Sequence, residues 1–205
     1  MAAEMGPGPE TEHHHHHHTG HRWLDITLAV SAVFISLVSL FLAIQHGRVM
    51  EKMVEADTWA FVTVGFSDAE YDYTPHVRLI AVNKGVGPAQ VDSLEVFYNG
   101  VALPGTHALV NAMLKPTDPT RHEKVLQSDV VGTVFSAKEE LNFLDFNVKN
   151  FTPEEYATIT SEVSKLTFRV CYCSVLGECS VLDTAKSARP VAVKVCAVPK
   201  TPFQR

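Results

Sequence analysis

The sequence predicts a mainly β domain with helices, attached to a membrane-spanning helix near the N-terminus. Two observations support this fold class. Residues 26 to 44 form an uncharged apolar run, and beyond residue 58 short segments rich in β-branched and aromatic residues alternate with glycine and proline turns. The first pattern is typical of transmembrane helices and the second of antiparallel strands.

Length and charge limit the architecture and the partners. The 205 residues leave room for one domain of about 150 residues besides an anchor. The formal net charge of -6 argues against nucleic acid as a partner, since surfaces that bind it concentrate Lys and Arg. The predicted divisions are a disordered His-rich tail (1–22), a transmembrane helix with its juxtamembrane extension (23–57), a β-sandwich (58–200) and a C-terminal tail (201–205).

The N-terminal tail has no periodic apolar pattern, so it cannot bury enough surface to fold. It contains six consecutive histidines, the first at His13 and the last at His18. Such a run is the usual form of a purification tag, although neutral imidazoles also bind divalent metals. Whether the run is native stays open.

The apolar run begins at Ile26, ends at Ile44 and contains no charged residue. At a rise of 1.5 Å per residue, such a helix spans roughly the ~30 Å hydrocarbon core. Trp23 precedes the run, while Arg48 and Lys52 follow it, as expected at membrane interfaces. A cleaved signal peptide normally has a shorter apolar core of about 7 to 15 residues, so we expect an uncleaved anchor in the lipid bilayer.

Small residues within the run permit close approach of a second helix, which leaves homo-oligomerisation through the anchor open. They are Ala32, Ser36, Ser39 and Ala43. The orientation of the anchor is also open. One basic residue near the run precedes it and two follow it, which favours a cytoplasmic domain. The cysteines described below favour the periplasmic side, which we prefer.

Period-two patterns predict the strands of the domain. These cover residues 59–66, 76–83, 89–98, 101–103, 139–148, 167–174, 180–183 and 191–198. Asn99 and Gly100 predict a tight hairpin turn. Thr152, Pro153 and Glu155 form an N-cap, a first-turn proline and a capping-box glutamate, which predict a helix to about residue 165. Residues 107–115 favour a short helix, and the rest of 104–137 is left open. Together these elements predict an immunoglobulin-like β-sandwich with an inserted helix.

The turn between the second and third strands reads Asn-Lys-Gly-Val-Gly-Pro-Ala and begins at Asn83. Gly85 and Gly87 are expected to adopt positive φ, and Pro88 directs the next strand. Together with the preceding helix and the strand start at Trp59, this turn resembles uncharacterised bacterial single-pass membrane proteins with an Ig-like β-sandwich. The resemblance implies the fold and an inner-membrane anchor, and it implies no activity.

The domain contains four cysteines, at positions 171, 173, 179 and 196. A hairpin loop over 175–177 with a left-handed Gly177 would place Cys173 opposite Cys179, within reach of a disulfide. Reduced core thiols and a zinc site are the alternatives, although the spacing lacks the paired C-x2-C of structural zinc sites. A disulfide favours an oxidising compartment.

Motifs for other chemistry are weak. Asp68, Glu70 and Asp72 alternate and offer calcium ligands, but the glycine of an EF-hand loop is missing. The sequence contains no nucleophile elbow, phosphate loop or His-Glu metal helix, and its histidines outside the tail are scattered. We therefore expect neither an enzyme nor a resident cofactor.

The expected function is that of an interaction module. An anchored β-sandwich without catalytic motifs favours binding of another membrane or envelope protein through sheet edges or loops. The alternative is a metal-responsive membrane protein that uses the His-rich tail or the cysteines.

Overall fold

The computed structural model describes residues 22–71, 74–115 and 121–204. The histidine run, Asp72 and the loop over 116–120 lie outside these residues, as do the side chains of Glu70 and His122. The chain forms two compact units that meet in sequence at residues 51 and 52.

Helix α1 (Arg22–Asp57) contains the whole apolar run, and none of its side chains is buried. Within the part of the chain described, it is the one helix long and apolar enough to cross a membrane. Three of its hydroxyl groups are satisfied within the helix: Thr27 donates to the Leu24 carbonyl, Ser31 to the Leu28 carbonyl and Ser36 to the Ala32 carbonyl. Such internal hydrogen bonds remove the cost of placing a hydroxyl group in lipid.

The second unit contains two antiparallel sheets. The first sheet has the order β1-β2-β7-β5, formed by Val62–Tyr71, Thr74–Asn83, Glu140–Asn147 and Leu126–Gln127. The second has the order β10-β9-β8-β3-β4, formed by Val191–Val193, Cys179–Asp183, Leu166–Ser174, Ala89–Tyr98 and Val101–Leu103. Strand β6 (Val134–Phe135) also pairs with β3.

Helices α2 (Thr106–Leu114) and α3 (Pro153–Glu162) pack with both sheets around one hydrophobic core. The first sheet contributes Leu79, the second contributes Leu94, and α3 contributes Ile159, all of them almost fully buried. Because residues of both sheets and both helices share this cluster, the second unit has a single core.

Local signals in the sequence predicted several elements accurately. Strands β3 and β4 have the predicted bounds, and both turn residues between them have positive φ, 48° at Asn99 and 79° at Gly100. Helix α3 begins with the predicted capping box, in which Glu155 and Thr152 exchange two hydrogen bonds. These signals work because the residues concerned are close in sequence.

Other bounds differ from the prediction. The first strand begins at Val62 and not at Trp59, because residues 58–61 pack against the turn that follows β2. The last strand ends at Val193 and not at residue 198, because the chain turns away toward a disulfide at Cys196. The short strands β5 and β6 arise in the region whose path the sequence left open.

Asn83, at the end of β2, joins three segments of the domain. Its fully buried side chain accepts from the backbone N–H of Gly85 (3.0 Å) and of Phe61 (3.3 Å). Its amide group donates to the carbonyl oxygens of Gly87 (2.8 Å) and Ser136 (3.1 Å). The amide therefore holds the segment that follows α1, the turn after β2 and the loop before β7 together.

The glycines of this turn serve a purpose other than the predicted one. Neither Gly85 nor Gly87 has a positive φ. A Cβ atom on Gly85 would lie 2.4 Å from the Trp59 carbonyl oxygen, and one on Gly87 would lie 2.3 Å from the backbone of Thr58. Both positions are glycine because the incoming backbone passes directly against them.

We predict that Asn83→Ala destabilises the domain by about 3 kcal/mol, because it leaves several buried backbone groups without partners. Urea unfolding of the detergent-solubilised full chain, followed by circular dichroism, measures this loss. Asn142→Ala, at an exposed position of β7, serves as the control and should change stability by less than about 0.5 kcal/mol. Equal stability of the two variants would contradict the role of the Asn83 amide.

Candidate binding cavity beneath the C-terminal strap

The chain after β10 forms an irregular segment, residues 194–204, which we call the C-terminal strap. One end is attached to β8 by the disulfide between Cys171 and Cys196. The middle is exposed, and Val198 has 93% of its surface accessible. The strap thus contacts the domain mainly at its two ends.

The other end of the strap enters the core. The Phe203 ring is buried and meets the Phe143 ring edge-on at 6.5 Å, while its N–H donates to the Leu94 carbonyl oxygen (2.9 Å). The next N–H, of Gln204, donates to the Pro104 carbonyl oxygen (3.1 Å). Residues 201–204 are therefore part of the packed domain. The prediction of a separate C-terminal tail from residue 201 was wrong.

Phe203 fills a gap in the pairing of β3. Along the edge of β3 away from β8, β6 pairs with Ala89 and Gln90, and β4 pairs with Val96 to Tyr98. Leu94 lies between these two pairings, and a register irregularity between Val91 and Ser93 bends the strand there. Such a bulge redirects side chains, and here it accompanies an exposed Asp92.

A cavity of about 550 Å³ lies between this edge, the strap and the segment after β5. Its apolar lining includes Leu94, Val130, Val131, Phe143, Val198, Pro199, Pro202 and Phe203. Its polar lining includes Asp92, Ser93, Gln127, Ser128, Asp129 and Gln204. No Lys, Arg or His is among the described residues that line it, so its only formal charges are two carboxylates.

A second cavity of about 520 Å³ lies beneath the strap over the outer face of β3 and β8. Arg169 lines this cavity and donates hydrogen bonds to Asp183 (2.9 Å) and Glu95 (3.2 Å). Its guanidinium lies 5.2 Å from the centre of the Phe97 ring. Burial opposes ionisation of Asp183, but Arg169 and Lys186 outweigh it and hold the pKa of this carboxyl below its usual value. Hydrogen bonding to Asp183 raises the pKa of Arg169. The guanidinium thus pairs with two carboxylates and links the strands β3, β8 and β9.

The four cysteines form two neighbouring disulfides. Cys173 is bonded to Cys179 across the β8–β9 hairpin, where the hairpin geometry predicted a contact, and Cys171 is bonded to Cys196 of the strap. The Cys173 sulfur lies 3.9 Å from that of Cys196 and 3.3 Å from the nearer Asp92 carboxylate oxygen. A disulfide sulfur has no proton to donate, so the second distance is a contact and not a hydrogen bond.

The other residues considered from sequence do not converge on one site. His76 is buried, and its Nδ1 lies within hydrogen-bond distance of the Asp145 carboxylate (2.7 Å). His107 contacts Asn111 of the same helix (3.0 Å). Asp68 is exposed on β1. The side chains of the two other calcium-ligand candidates, Glu70 and Asp72, lie outside the described part of the chain. Sequence reasoning missed the strap. Its one signal in the sequence is Phe203, an aromatic residue that follows Pro199 and Pro202.

Searches against protein-family profiles, curated proteins and solved structures found no match to this chain. The class of the protein therefore rests on its sequence and structure: an apolar helix able to cross a membrane and a domain of two antiparallel sheets with helices.

We predict that Phe203→Ala destabilises the domain by about 3 kcal/mol, because it empties the space against Phe143 and frees the end of the strap. Val198→Ala, at the exposed middle of the same strap, should cost less than about 0.5 kcal/mol. Thermal unfolding of the full chain in detergent compares the two. An equal loss of stability would show that the strap is not held by its end.

Proposed function

We propose that this chain is a single-pass membrane protein whose Ig-like domain binds an extended apolar and basic segment of another membrane or envelope protein. The cavity beneath the strap carries the proposal. Ligand sites are usually concave, mainly apolar and about 300 to 1,000 Å³ in volume, with a few polar groups that orient the ligand. The cavity of about 550 Å³ fits this description.

Charge complementarity favours a basic ligand. Asp92 and Asp129 are exposed where they line the cavity, and within the described residues no ion pair involves either of them. By contrast, Arg169 in the second cavity already has two carboxylate partners. A segment with apolar side chains for Leu94 and Phe143 and a Lys or Arg for the two carboxylates is complementary to this surface.

A binding role fits the cavity better than catalysis does. Ser93 and Ser128 are the hydroxyl groups among its described lining residues, and no histidine or lysine is among those residues to act as a base. Cys196 is held in a disulfide and is not a nucleophile in this state. We therefore infer an interaction module and not an enzyme.

The location proposed for the domain is the periplasmic face of a bacterial inner membrane. Two disulfides, with all four cysteines paired, favour an oxidising compartment. The uncharged run of α1 supports an uncleaved anchor. Two antiparallel sheets over one core support the Ig-like assignment, as does the turn at Asn83 from which the resemblance was inferred.

We predict that the full chain in nanodiscs of zwitterionic lipid binds a fluorescent hexapeptide of alternating valine and lysine, and that the glutamate counterpart does not bind. Changing both carboxylates, Asp92→Asn with Asp129→Asn, should weaken binding about tenfold, because two partly exposed ion pairs contribute roughly 1.4 kcal/mol together. Fluorescence anisotropy measures both affinities.

Asp68→Asn is the matched control, since it removes an exposed carboxylate outside the cavity and should leave the affinity unchanged. Empty nanodiscs control for binding to lipid. If the two peptides bind equally, or if the double variant binds as the parent does, the carboxylates of the cavity do not select the ligand and the proposal fails.

The location has its own test. In spheroplasts treated with a membrane-impermeant phosphine reductant, an impermeant maleimide should label the partly exposed Cys173 and Cys196, and it should label no native cysteine without reductant. A cysteine introduced by Ala3→Cys, on the other side of the anchor, should react only after lysis. Labelling of the native cysteines only after lysis, with no need of reductant, would instead place the domain in the cytoplasm.

A further inference from the structure

The sulfur atoms of the two disulfides are close enough to react with each other. Cys171 and Cys173 are two residues apart on β8 and therefore point to the same face of the sheet. Cys179 lies directly opposite Cys173 on β9, and the strap brings Cys196 over the same face. The sulfurs of Cys173, Cys179 and Cys196 all lie within 4.8 Å of one another.

We propose that these four cysteines form a thiol–disulfide exchange centre that changes the attachment of the strap. A dithiol reductant first reduces the Cys173–Cys179 bond and becomes a disulfide itself, which leaves two thiols on the hairpin. The Cys173 thiolate then attacks the Cys196 sulfur, 3.9 Å away. A Cys173–Cys196 bond forms, the Cys171–Cys196 bond breaks, and its electron pair leaves on the Cys171 sulfur, which takes up a proton.

Each disulfide joins a partly exposed cysteine to a buried one, Cys173 to Cys179 and Cys196 to Cys171, so an external dithiol can reach either bond. Reduction of the Cys171–Cys196 bond first leads to the same product, because the Cys196 thiolate then attacks the Cys173 sulfur and the electron pair leaves on Cys179. The second step needs no further reductant, because it begins and ends with one disulfide and two thiols.

Exchange has a defined structural consequence. It moves the attachment of the strap from residue 171 to residue 173 of β8, a shift of about 7 Å along the strand. Cys196 and the three residues after it line the cavity, so a new attachment changes the cavity wall. Phe203 still anchors the far end of the strap in the core.

Asp92 opposes the reaction. Its carboxylate lies 3.3 Å from the Cys173 sulfur and repels a thiolate there. Asp92→Asn should therefore raise the exchange rate about threefold, since the larger thiolate fraction is partly offset by weaker nucleophilicity. Asp68→Asn removes an exposed carboxylate outside both cavities and serves as the control that leaves the rate unchanged.

The test treats the full chain in detergent with one equivalent of dithiothreitol, followed by acid quenching, alkylation and mass mapping of all four cysteines. We expect a species in which Cys173 is bonded to Cys196 while Cys171 and Cys179 are alkylated. If Cys173 and Cys179 are alkylated at every time point and the Cys171–Cys196 bond stays intact, no exchange occurs and the proposal is overturned.

A pair of variants tests the geometry independently. Cys171→Ser with Cys179→Ser leaves only Cys173 and Cys196, which should form a disulfide within the monomer when treated with oxidised glutathione. Cys173→Ser with Cys179→Ser keeps the Cys171–Cys196 bond and is the matched control for folding. A folded first variant that stays reduced would overturn the proposal, and if that variant does not fold, the time course of the parent protein decides. Neither result depends on whether the cavity binds a peptide.

Discussion

The domain depends on the buried side-chain amide of Asn83. Its two oxygen and three nitrogen contacts reach segments that are distant in sequence, at residues 61, 85, 87, 135 and 136. A buried amide is costly unless each of its groups is paired, so these segments must assemble together or not at all. The chain that leaves α1 is thereby held against the domain before β1 begins, and the close passage of Trp59 and Thr58 explains why the turn requires two glycines.

The sequence predicted the elements whose determinants are local. The β3–β4 hairpin follows from two adjacent residues able to take positive φ, and α3 follows from a capping box four residues long. The two glycines after Asn83 were assigned to the turn for the wrong reason. Their backbone has no positive φ, and the close approach that excludes a side chain comes from residues more than twenty positions earlier. No local pattern reports such a contact.

The cavity beneath the strap could not be predicted for the same reason. It is formed by Asp92 at an irregularity in β3, by the segment after β5 and by a strap that begins at residue 194, almost a hundred residues after β3 ends. Hairpin geometry pointed to Cys173 and Cys179, but the partner of Cys171 depends on the path of the strap. A pairing 25 residues apart, between a strand and an irregular segment that follows two further hairpins, has no signature in the spacing of the cysteines.

The cavity and the strap are two results of one constraint, the need to close the edge of β3. An uncovered strand edge exposes unpaired backbone groups and invites aggregation. Here β6 and β4 each cover only part of the edge, and Phe203 covers the carbonyl of Leu94 between them. Because the strap is irregular and contains Pro199 and Pro202, it cannot continue a hydrogen-bonded ladder and cannot follow the sheet closely. Space therefore remains beside Leu94 and Phe143, with Asp92 and Asp129 at its margin. A regular strand in place of the strap would close the edge more completely, and it would remove the cavity on which the proposed binding depends.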